Sequence, residues 1–596
     1  MPPKSGWYAC ALFSLFVLVL LAGCSSSSQP PLTVTVSPSP AFVGSAQTVQ
    51  LTANVTGDSS GVTWSVAGAS GGTVDANGNF TAPAVTQNAT ATITATSKRD
   101  TTKSASATVN IIAPGTVATT NNPQVAQYTI NPPSDAKVSI QFGPDTSYGL
   151  TTWTQSTPAG GGPVSIYVAG MRANTAYHMR AMMQFSAGAT VNDADQTFTT
   201  GTLATAAIPS ATGSTTADTT PQSGVEMLEL AGVNTTPVRV GVTDLAGNLL
   251  WGYDPGSSVI GGSGPAKLLP DGDFLIGFGS QPDGLDSTIQ EVDLGGNVVW
   301  SMTAAQLNQA LASATCAGCN ITVIGTHHDC AILPNGHIVV IAAQQQTISG
   351  LTGYSTPQTV DGDVLIDLDQ NHNPVWAWNE FDHLDVNRHP EGLPDWTHTN
   401  AIVYSPDDGD LIVSSRHQSW VMKVDYHDGT GTGNILWKLG YQGDFTLQGG
   451  TAPQDWQYGQ HDPNVITTNS SGVFQMTMFD NGFLRVMDAA GALCGTTGQP
   501  ACYSRVPIFQ IDETGKTATL EWVDNLSPIY SFWGGSSRLL VNGDIQFNET
   551  TPTASTAALY EVTKTNPPQI VWQMHIANAN SYRGYRMPSL YPGVQW

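Results

Sequence analysis

Three histidines recur in the C-terminal part of the chain, each just before a short apolar stretch. They are His328 in H-D-C-A-I-L, His398 in H-T-N-A-I-V and His461 in H-D-P-N-V-I. A neutral imidazole acts as a nucleophile or moves a proton near neutral pH. Arg416 in S-S-R-H-Q adds a planar cation that suits a tetrahedral oxyanion, and Asn400 adds a neutral donor. Together these residue types predict a site for a small anionic substrate.

An internal repeat must position these side chains. One half of the repeat reads L-P-D-G-D-F-L-I from Leu269 and L-P-N-G-H-I-V-V from Leu333. The other half, D-x-x-G-x-x-x-W, recurs in exact or degenerate form and ends at Trp251, Trp300, Trp376, Trp437, Trp522 and Trp572. Each half is predicted to be a β-hairpin, and two hairpins form the four-stranded blade of a propeller. The pattern therefore predicts six blades over residues 224–596, and the run from Arg586 is expected to complete the first sheet. The alternative fold, two packed β-sandwiches, explains the spacing of the repeat less well.

Equivalent places in consecutive blades face one zone of a central channel, so the three histidines are expected to converge there. A single buried histidine is more often structural, and three histidines also bind zinc. Because Arg416 disfavours a bound cation, we predict neither a metal nor a cofactor. His327 is expected to point away from the channel. Three further histidines are expected on solvated loops: His372, His417 and His427.

Two segments before the propeller alternate small or β-branched residues with turns. Residues 32–113 contain G-T-V-D-A-N-G-N-F-T-A-P and resemble a bacterial Ig-like repeat. Residues 114–200 resemble a fibronectin type III module, with Tyr177 at a tyrosine corner. Both are predicted to be β-sandwiches that serve as spacers, and residues 201–223, rich in Thr, Ala and Ser, are predicted to be a flexible linker. The predicted fold class is thus all-β: a six-bladed propeller preceded by two β-sandwich modules.

The first 23 residues are interpreted as a lipoprotein signal peptide. Lys4 precedes an apolar run at 7–22, and L-A-G-C ends at Cys24. The run is short for a transmembrane helix, which needs about 20 residues. Cys24 is therefore the predicted lipidation site, followed by a tether at 24–31. The mature chain is expected to be an exported lipoprotein, on the outer membrane facing the periplasm or on the cell surface.

Charge and cysteine content exclude several functions. The 596 residues include 20 Lys or Arg and 45 Asp or Glu, a formal charge of -25. This balance argues against nucleic acid as a partner, because nucleic acid needs basic patches. Cys494 and Cys502 are predicted to pair, as are two of Cys316, Cys319 and Cys330, and no second C-x-x-C supports a zinc ribbon. The sequence leaves a monomer and a homodimer open.

The motifs around the histidines resemble those of the bacterial arylsulfate sulfotransferases. The resemblance rests on H-H-D-C-A-I-L-P-N-G, D-W-T-H-T-N, S-S-R-H-Q, G-Q-H-D and M-F-D-N-G, and it spans about 225–596. It implies a six-bladed propeller that transfers sulfuryl groups from aryl sulfates to phenols without a nucleotide sulfate donor. It also implies that His461, in G-Q-H-D, is transiently sulfurylated. Four further residues would line the same pocket: His328, His398, Asn400 and Arg416.

A second interpretation is a non-enzymatic surface propeller that acts as a binding or adhesion platform. The two predicted stalk modules favour it, because such modules commonly serve adhesion. This interpretation expects no turnover of any aryl sulfate and no effect of changing His461 on binding. Release of a phenol that depends on an added acceptor would separate the two interpretations.

Overall fold

The computed structural model describes residues 31–68, 71–203, 210–231, 238–256, 262–279, 287–467, 471–524, 530–551 and 556–596. These residues form 44 strands, one α-helix, α1 (Ala304–Ser313), and short 3-10 helices at Glu380–Asp382 and His427–Gly429. The predicted all-β class is confirmed. No helix among these residues is long and apolar enough to cross a bilayer. The predicted signal peptide and the lipidation site at Cys24 lie outside the described residues.

The chain divides into two compact units, Met1–Ile112 and Ala113–Trp596. The strands of the first are β1 Thr33–Ser37, β2 Ala41–Gly44, β3 Thr48–Gln50, β4 Thr52–Thr56, β5 Val62–Ala67, β6 Thr73–Val74, β7 Asn79–Thr81, β8 Ala89–Ser97 and β9 Ser104–Ile112. They form sheets ordered β1-β4, β2-β9-β8-β5 and β3-β7-β6. Alternate side chains such as Ile93, Val109 and Ile111 fill one apolar core, as the period of two predicts. This layout is consistent with a β-sandwich, and the Ig-like assignment stays a prediction.

The second unit begins with β10 Thr116–Thr119, β11 Ala126–Ile130, β12 Ala136–Gly143, β13 Leu150–Thr151, β14 Gln155–Ser156, β15 Val164–Val168, β16 Ala176–Phe185, β17 Thr190–Asn192 and β18 Gln196–Thr199. We call these strands the second module. They form two sheets, β10-β11-β15 and β13-β12-β16-β17, with β14 and β18 also paired to the latter. The hydroxyl of Tyr177 bonds back to the main chain by accepting the N–H of Arg172 at 3.0 Å. The fibronectin type III assignment stays a prediction.

The remaining strands are β19 Ser210–Thr215, β20 Val225–Ala231, β21 Val240–Thr243, β22 Leu249–Tyr253, β23 Gly262–Leu268, β24 Phe274–Gly279, β25 Thr288–Val292, β26 Val298–Thr303, β27 Gly325–Ile332, β28 Ile338–Ile348, β29 Gln358–Leu368, β30 Pro374–Asn379, β31 Thr399–Ser405, β32 Asp410–Ser415, β33 Trp420–Val424, β34 Ile435–Leu439, β35 Thr446–Gln448, β36 His461–Val465, β37 Val473–Phe479, β38 Pro507–Asp512, β39 Thr517–Val523, β40 Ser536–Leu539, β41 Ile545–Glu549, β42 Thr556–Val562, β43 Ile570–Ala577 and β44 Asn580–Met587. We define blade 1 as β44-β20-β21-β22, blade 2 as β23 to β26, blade 3 as β27 to β30, blade 4 as β31 to β34, blade 5 as β36 to β39 with β35, and blade 6 as β40 to β43 with β19.

These sheets form a ring. The first-named strands of blades 2 to 6 contact one another in chain order, β40 contacts β44, and β20 contacts β23. Among the described residues this gives a ring of six sheets, a propeller-like arrangement, in which all pairs are antiparallel except β35 with β39. The L-P-D-G and D-x-x-G runs form the predicted turns, and Gly272 (φ 91°) and Gly296 (φ 84°) supply the left-handed backbone there.

The repeated tryptophans link neighbouring blades. The indole N–H of Trp251 donates to the carbonyl of Leu294 in the next blade at 2.9 Å. Trp572 of blade 6 donates in the same way to the carbonyl of Leu245 in blade 1 at 2.8 Å. A buried indole needs such a partner, so the tryptophan repeat fixes the angle between blades as well as filling space.

The ring closes slightly earlier in sequence than predicted. Strand β44, at Asn580–Met587, pairs antiparallel with β20 from Val225 to Ala231. Of the predicted closing run, only Arg586 and Met587 belong to the strand. The closure itself agrees with the prediction that both ends of the propeller share one sheet.

The segment predicted as a flexible linker differs in the structure. Residues 201–203 and 210–223 lie within the described part, and Ser210–Thr215 forms β19, which pairs antiparallel with β43 along its whole length. The physical reason is that threonine favours extended backbone and that the edge of blade 6 offers unpaired main-chain groups. Composition alone indicated flexibility, but Ser210–Thr215 pairs with the edge strand of a sheet.

The second module is also not a free spacer. Arg172 forms an ion pair with Asp244, in a turn of blade 1, at 2.6 Å. The hydroxyl of Tyr167 donates to Asp293, in the matching turn of blade 2, at 3.0 Å. Val125 of the module belongs to the same apolar cluster as residues of blades 1 and 2. The module and the propeller therefore form one packed body.

Candidate functional site

Irregular strand pairing surrounds each of the three histidines, which lie in or directly beside the first strands of blades 3, 4 and 5. His328 lies within β27, His398 directly precedes β31, and His461 begins β36. The register shifts beside each of them. Backbone φ is positive at His328 (56°), His398 (50°) and Asp462 (51°). Bulges of this kind re-aim side chains. His328 and His398 are thus equivalent in backbone, whereas in blade 5 the left-handed residue follows His461.

The predicted residues come together. The ring centroids of His328 and His398 are 4.7 Å apart. The ring of Tyr582 lies 5.7 Å from that of His328 and 5.8 Å from that of His461. Arg416 is buried beside them and acts electrostatically on His461. The three imidazoles and the guanidinium therefore surround one zone of the channel.

The hydrogen bonds of His461 define its tautomer. The amide N–H₂ of Asn481 donates to the carbonyls of Ser531 (2.7 Å) and Gly534 (2.9 Å), so its Oδ1 remains as an acceptor. Nδ1 of His461 lies 2.7 Å from that oxygen and must carry the proton. The N–H of Gly534 donates to Nε2 at 3.2 Å. Burial and the charge of Arg416 hold the pKa of His461 well below its usual range, so the ring is neutral with its lone pair on Nε2.

His398 is oriented by a carboxylate. Its Nδ1 lies 2.5 Å from Oδ2 of Asp395. Burial acts to raise the pKa of Asp395, but the imidazole of His398 outweighs it and lowers that pKa to about 2. With an ionised carboxylate bonded to Nδ1, the second ring nitrogen of His398 is Nε2.

His417 corrects the expectation of a solvated loop residue. Its ring stacks on that of His398 with centroids 4.5 Å apart, and its Nδ1 donates to the carbonyl of Asp395 at 2.7 Å. Burial lowers the pKa of His417 to about 3. His372 is likewise not free, because it stacks on Trp300 and contacts Glu291 at 3.1 Å. His427 is the exposed member of the three.

Arg416 has a buried counter-ion that the sequence did not indicate. Its Nη1 lies 3.3 Å from Oε2 of Glu391, and its Nη2 donates to the carbonyl of Phe532 at 3.1 Å. The same Glu391 oxygen is 3.3 Å from Nε2 of His417. Burial raises the pKa of Glu391 to about 7. The positive charge of the site is therefore partly compensated near neutral pH.

A metal is not the simplest occupant of this cluster. Ligand atoms of Asp395, His398 and His417 all lie within 4.8 Å of one another. However, Nδ1 of His417 already donates to a main-chain carbonyl, Nδ1 of His398 is bonded to Asp395, and Arg416 lies alongside. We assign the cluster to hydrogen bonding. The absence of a metal requirement stays a prediction.

His327 takes up another position than predicted, whereas the assignment of Asn400 to substrate binding stays a prediction. Asn400 is fully buried and donates its Nδ2 to the carbonyl of Gln460 at 2.8 Å, so it supports the residue before His461. Nδ1 of His327 lies 2.7 Å from Nδ1 of His328, and its Nε2 is 3.0 Å from Asp363. The bulge at His328 breaks the strict alternation on which the prediction for His327 relied.

Comparison with known proteins decides the family. The profile of the family described as Arylsulfotransferase (ASST) matches residues 215–586, more than half of the chain. The chain belongs to the arylsulfotransferase family. The sequence matches no curated protein.

Solved structures resemble this arylsulfotransferase only loosely. A putative 6-phosphogluconolactonase from Bacteroides uniformis has 10% identity and a TM-score of 0.32, covering 61% of this chain and 100% of its own. A mutant of the Synechocystis apocarotenoid oxygenase has 11% identity and a TM-score of 0.29, covering 79% of this chain and 94% of its own. A tandem repeat from the extending region of a large adhesion protein has 14% identity and a TM-score of 0.12, covering 59% of this chain and 98% of its own.

An aromatic-lined cavity of about 410 Å³ begins beside the cation of this arylsulfotransferase. Phe483 and Glu391 form the wall nearest to Arg416, and the ring centroid of Phe483 is 5.0 Å from its guanidinium carbon. Tyr441 and Tyr458 lie on the same cavity.

Sequence reasoning missed several residues of the site. Asn481 and Asp395 stand inside the quoted M-F-D-N-G and D-W-T-H-T-N motifs, so their motif membership was an available signal. Glu391, Tyr582 and Arg583 carry no repeat signature, because they lie in a connecting loop and in the closing strand. Their approach to the histidines is a product of the ring.

Proposed function

We propose that this arylsulfotransferase transfers a sulfuryl group from an aryl sulfate to a phenol by a ping-pong mechanism through His461, without a nucleotide sulfate donor. The observation that carries the proposal is the neutral, buried His461, whose lone pair is fixed on Nε2 by Asn481. A neutral imidazole is the form that can attack sulfur. Arg416 beside it supplies the cation that an anionic donor requires.

In the first half-reaction, Nε2 of His461 gives up the hydrogen bond that it accepts from the N–H of Gly534 at 3.2 Å, and its lone pair attacks the sulfur atom. The N–S bond forms as the bond between sulfur and the aryl oxygen breaks. The leaving oxygen keeps the electron pair of the broken bond and takes a proton from Nε2 of His398, which enters this step doubly protonated, with Nδ1 bonded to Asp395, and leaves it as the neutral imidazole. Arg416 and His328 bind the equatorial sulfuryl oxygens, where such donors are typically worth about 3 kcal/mol each. The phenol then leaves.

In the second half-reaction, an acceptor phenol occupies the vacated site. Nε2 of His398 takes the phenolic proton while the phenol oxygen attacks sulfur. The N–S bond breaks and returns its electron pair to His461. Each step uses the same two histidines in reverse, as microscopic reversibility requires of a symmetrical transfer.

The test is the mass of the intact protein after mixing with 4-nitrophenyl sulfate. We expect one sulfuryl adduct on the wild-type chain, none on His461→Ala, and a slowly formed adduct on Arg416→Ala. His575→Ala, an exposed position on β43, is the matched control and should behave as the wild type. An adduct on His328 or His398 that persists in His461→Ala would place the nucleophile in another blade. Absence of turnover with any aryl sulfate would favour the binding platform.

We further propose that the chain is an exported lipoprotein anchored to the membrane through Cys24. The support is the L-A-G-C motif together with two disulfides, Cys316–Cys319 and Cys494–Cys502, which suit an oxidising compartment. Cys330 is a buried free thiol. Growth with labelled palmitate should label the wild type and leave Cys24→Ala unlabelled and released from membranes. Equal membrane retention of Cys24→Ala would refute the anchor.

A further inference from the structure

A fully buried arginine joins the three histidine-bearing strands. Arg583 lies in β44 of blade 1 and is 0% exposed. Its Nη1 is 2.9 Å from Oδ2 of Asp329 and 3.6 Å from Oδ1 of Asp462, and its Nη2 donates to the carbonyl of Asn400 at 2.5 Å. These partners belong to blades 3, 5 and 4. One guanidinium therefore reaches three blades from the closing strand.

Each partner lies within two residues of a histidine of the site. Asp329 follows His328, Asp462 follows His461, and Asn400 lies two positions after His398. We propose that Arg583 is a positioning residue for sulfuryl transfer, which holds the three histidine-bearing strands in register at the axis of the channel. The inference rests on the proposed function for its catalytic consequence.

The irregular pairing at the histidines makes such a tie necessary. Main-chain pairing shifts register beside each histidine, so the ladder there does not fix how far each strand advances toward the channel. A planar guanidinium with donors in a fixed fork sets three strands at once. Its carbon also lies 5.2 Å from the ring centroid of Tyr582, which contacts both His328 and His461.

The charges around Arg583 are unequal. Asp329 also binds Lys267 at 2.9 Å, and Asp462 also binds Arg538 at 2.6 Å. Three cations thus share two aspartates. The remaining carboxyl group nearby, Glu229, has a pKa that burial raises to about 7, so it only partly balances them. Loss of Arg583 would remove one positive charge from this cluster of buried cations and carboxylates.

That charge matters to the histidines. Burial is the largest cause that holds the pKa values of His328 and His461 well below the usual range. The surrounding cations and imidazoles lower them further, and Arg583 is one of these cations. The groups facing His461 are Arg416, His398 and Arg583, and those facing His328 are His398, His327, His461 and Arg583. Tyr582 contacts both rings. Removing Arg583 should therefore raise both pKa values and increase the protonated fraction of the nucleophile.

The experiment compares Arg583→Met and Arg583→Lys in the full mature chain. The matched control is Arg586→Met. Arg586 lies on the same strand and has a fully buried side chain. Its ion pairs within the described part of the chain are with Glu226 and with Glu561 at 3.0 Å, and neither partner lies on a histidine-bearing strand. The readouts are the rate of adduct formation with 4-nitrophenyl sulfate from pH 5 to 9 and the folded fraction by circular dichroism.

We expect Arg583→Met to shift the acidic limb of the pH–rate profile to higher pH by at least one unit. At a pH on that limb, adduct formation would then be about tenfold slower than in the wild type. Arg583→Lys should return the acidic limb of the pH–rate profile toward its wild-type position but remain at least threefold slower, because an ammonium lacks the planar fork whose two nitrogens reach separate strands. Arg586→Met should lose stability without moving the limb. The proposal would be overturned if Arg583→Met kept the pH–rate profile and the rate of the wild type. It would also be overturned if Arg583→Met and Arg586→Met shifted the profile equally. If Arg583→Met does not fold, a wild-type rate in Arg583→Lys overturns it.

If the proposed function itself is wrong, the experiment gives a different result from the one expected if only the positioning role of Arg583 is wrong. In that case the wild-type chain forms no adduct on any histidine at any pH. The positioning role is then measured by ¹⁵N NMR of the histidine rings, which reports tautomer and protonation without turnover. We expect the His461 and His328 resonances of Arg583→Met to titrate at higher pH than in the wild type and in Arg586→Met. Unchanged titration in Arg583→Met would reject the inference independently of activity.

Discussion

Removal of all residues before 224 should destabilise the propeller, although the sequence places a domain boundary there. Such a chain lacks β19, the edge strand of blade 6, and the second module, which packs against the turns of blades 1 and 2. We expect the chain 224–596 to unfold at a lower temperature or to aggregate. The chain 113–596, which keeps the whole second unit, should behave as the mature protein does.

The size of the effect follows from what the truncation uncovers. Tyr591 is 1% exposed and donates its hydroxyl to the carbonyl of Tyr167 at 2.9 Å, and the indole of Trp596 donates to Thr151 at 3.0 Å. Exposing a large apolar side chain costs roughly 1.5–3 kcal/mol, and a lost hydrogen bond costs about 1 kcal/mol. Two aromatic anchors with their bonds thus amount to on the order of 5 kcal/mol before β19 is counted. Whole domains are stable by only about 5–15 kcal/mol.

The assay compares three chains that begin at 113, 210 and 224. Thermal unfolding followed by circular dichroism gives the stability, and release of 4-nitrophenol with an added phenol gives the activity. The chain 210–596 keeps β19 but loses the second module, so it separates the two contributions. If 224–596 melts within a few degrees of 113–596 with equal turnover, the packed interface contributes nothing and the reasoning is wrong.

Three further changes test the site. Asn481→Ala should slow adduct formation about ten- to hundredfold, because the bond that holds the proton on Nδ1 of His461 is lost; an unchanged rate would show that the tautomer is set elsewhere. The low pKa of His461 predicts that the rate of adduct formation stays constant as the pH falls from 7 to 6. The free energy of unfolding should decrease below about pH 6.5, because the histidine binds a proton in the unfolded chain but not in the folded one. A rate that halves near pH 6.5 contradicts this. Glu391→Gln should lower KM for the aryl sulfate at pH 8 but not at pH 6, since a carboxyl with a pKa of about 7 compensates Arg416 only when ionised; equal effects at both values would exclude that role.

Periodic features of the fold were predictable from the sequence. The tryptophan repeat and the L-P-D-G turns depend on local chemistry, a buried indole and a turn glycine, which recur in every blade. The all-β class and the shared closing sheet follow from them. The failure at 201–223 has an equally physical cause, because Ser210–Thr215 is ordered by a distant edge, β43, and not by its own composition.

The histidines of the site were also accessible to sequence reasoning, since each stands just before the same kind of short apolar stretch. The polar partner of each ring follows no repeat, although Asp395 and Asn481 stand inside the quoted motifs. His461 is oriented by Asn481 from β37 and its following loop, His398 by Asp395 three residues earlier, and His328 by its neighbour His327. Repeat symmetry predicts a shared location, whereas each partner depends on the loop that happens to reach that blade.

The aspartates of the two H-D pairs show how adjacency in sequence misleads. A histidine followed by aspartate invites assignment as a catalytic pair, yet Asp329 and Asp462 both turn to cations of other blades. Because successive residues of a strand face opposite sides, a side chain next to a channel-facing histidine meets a different environment. At these bulged strands, that environment is the cationic layer around Arg583. Each H-D pair therefore places an imidazole of the site next to a carboxylate that binds a cation of another blade.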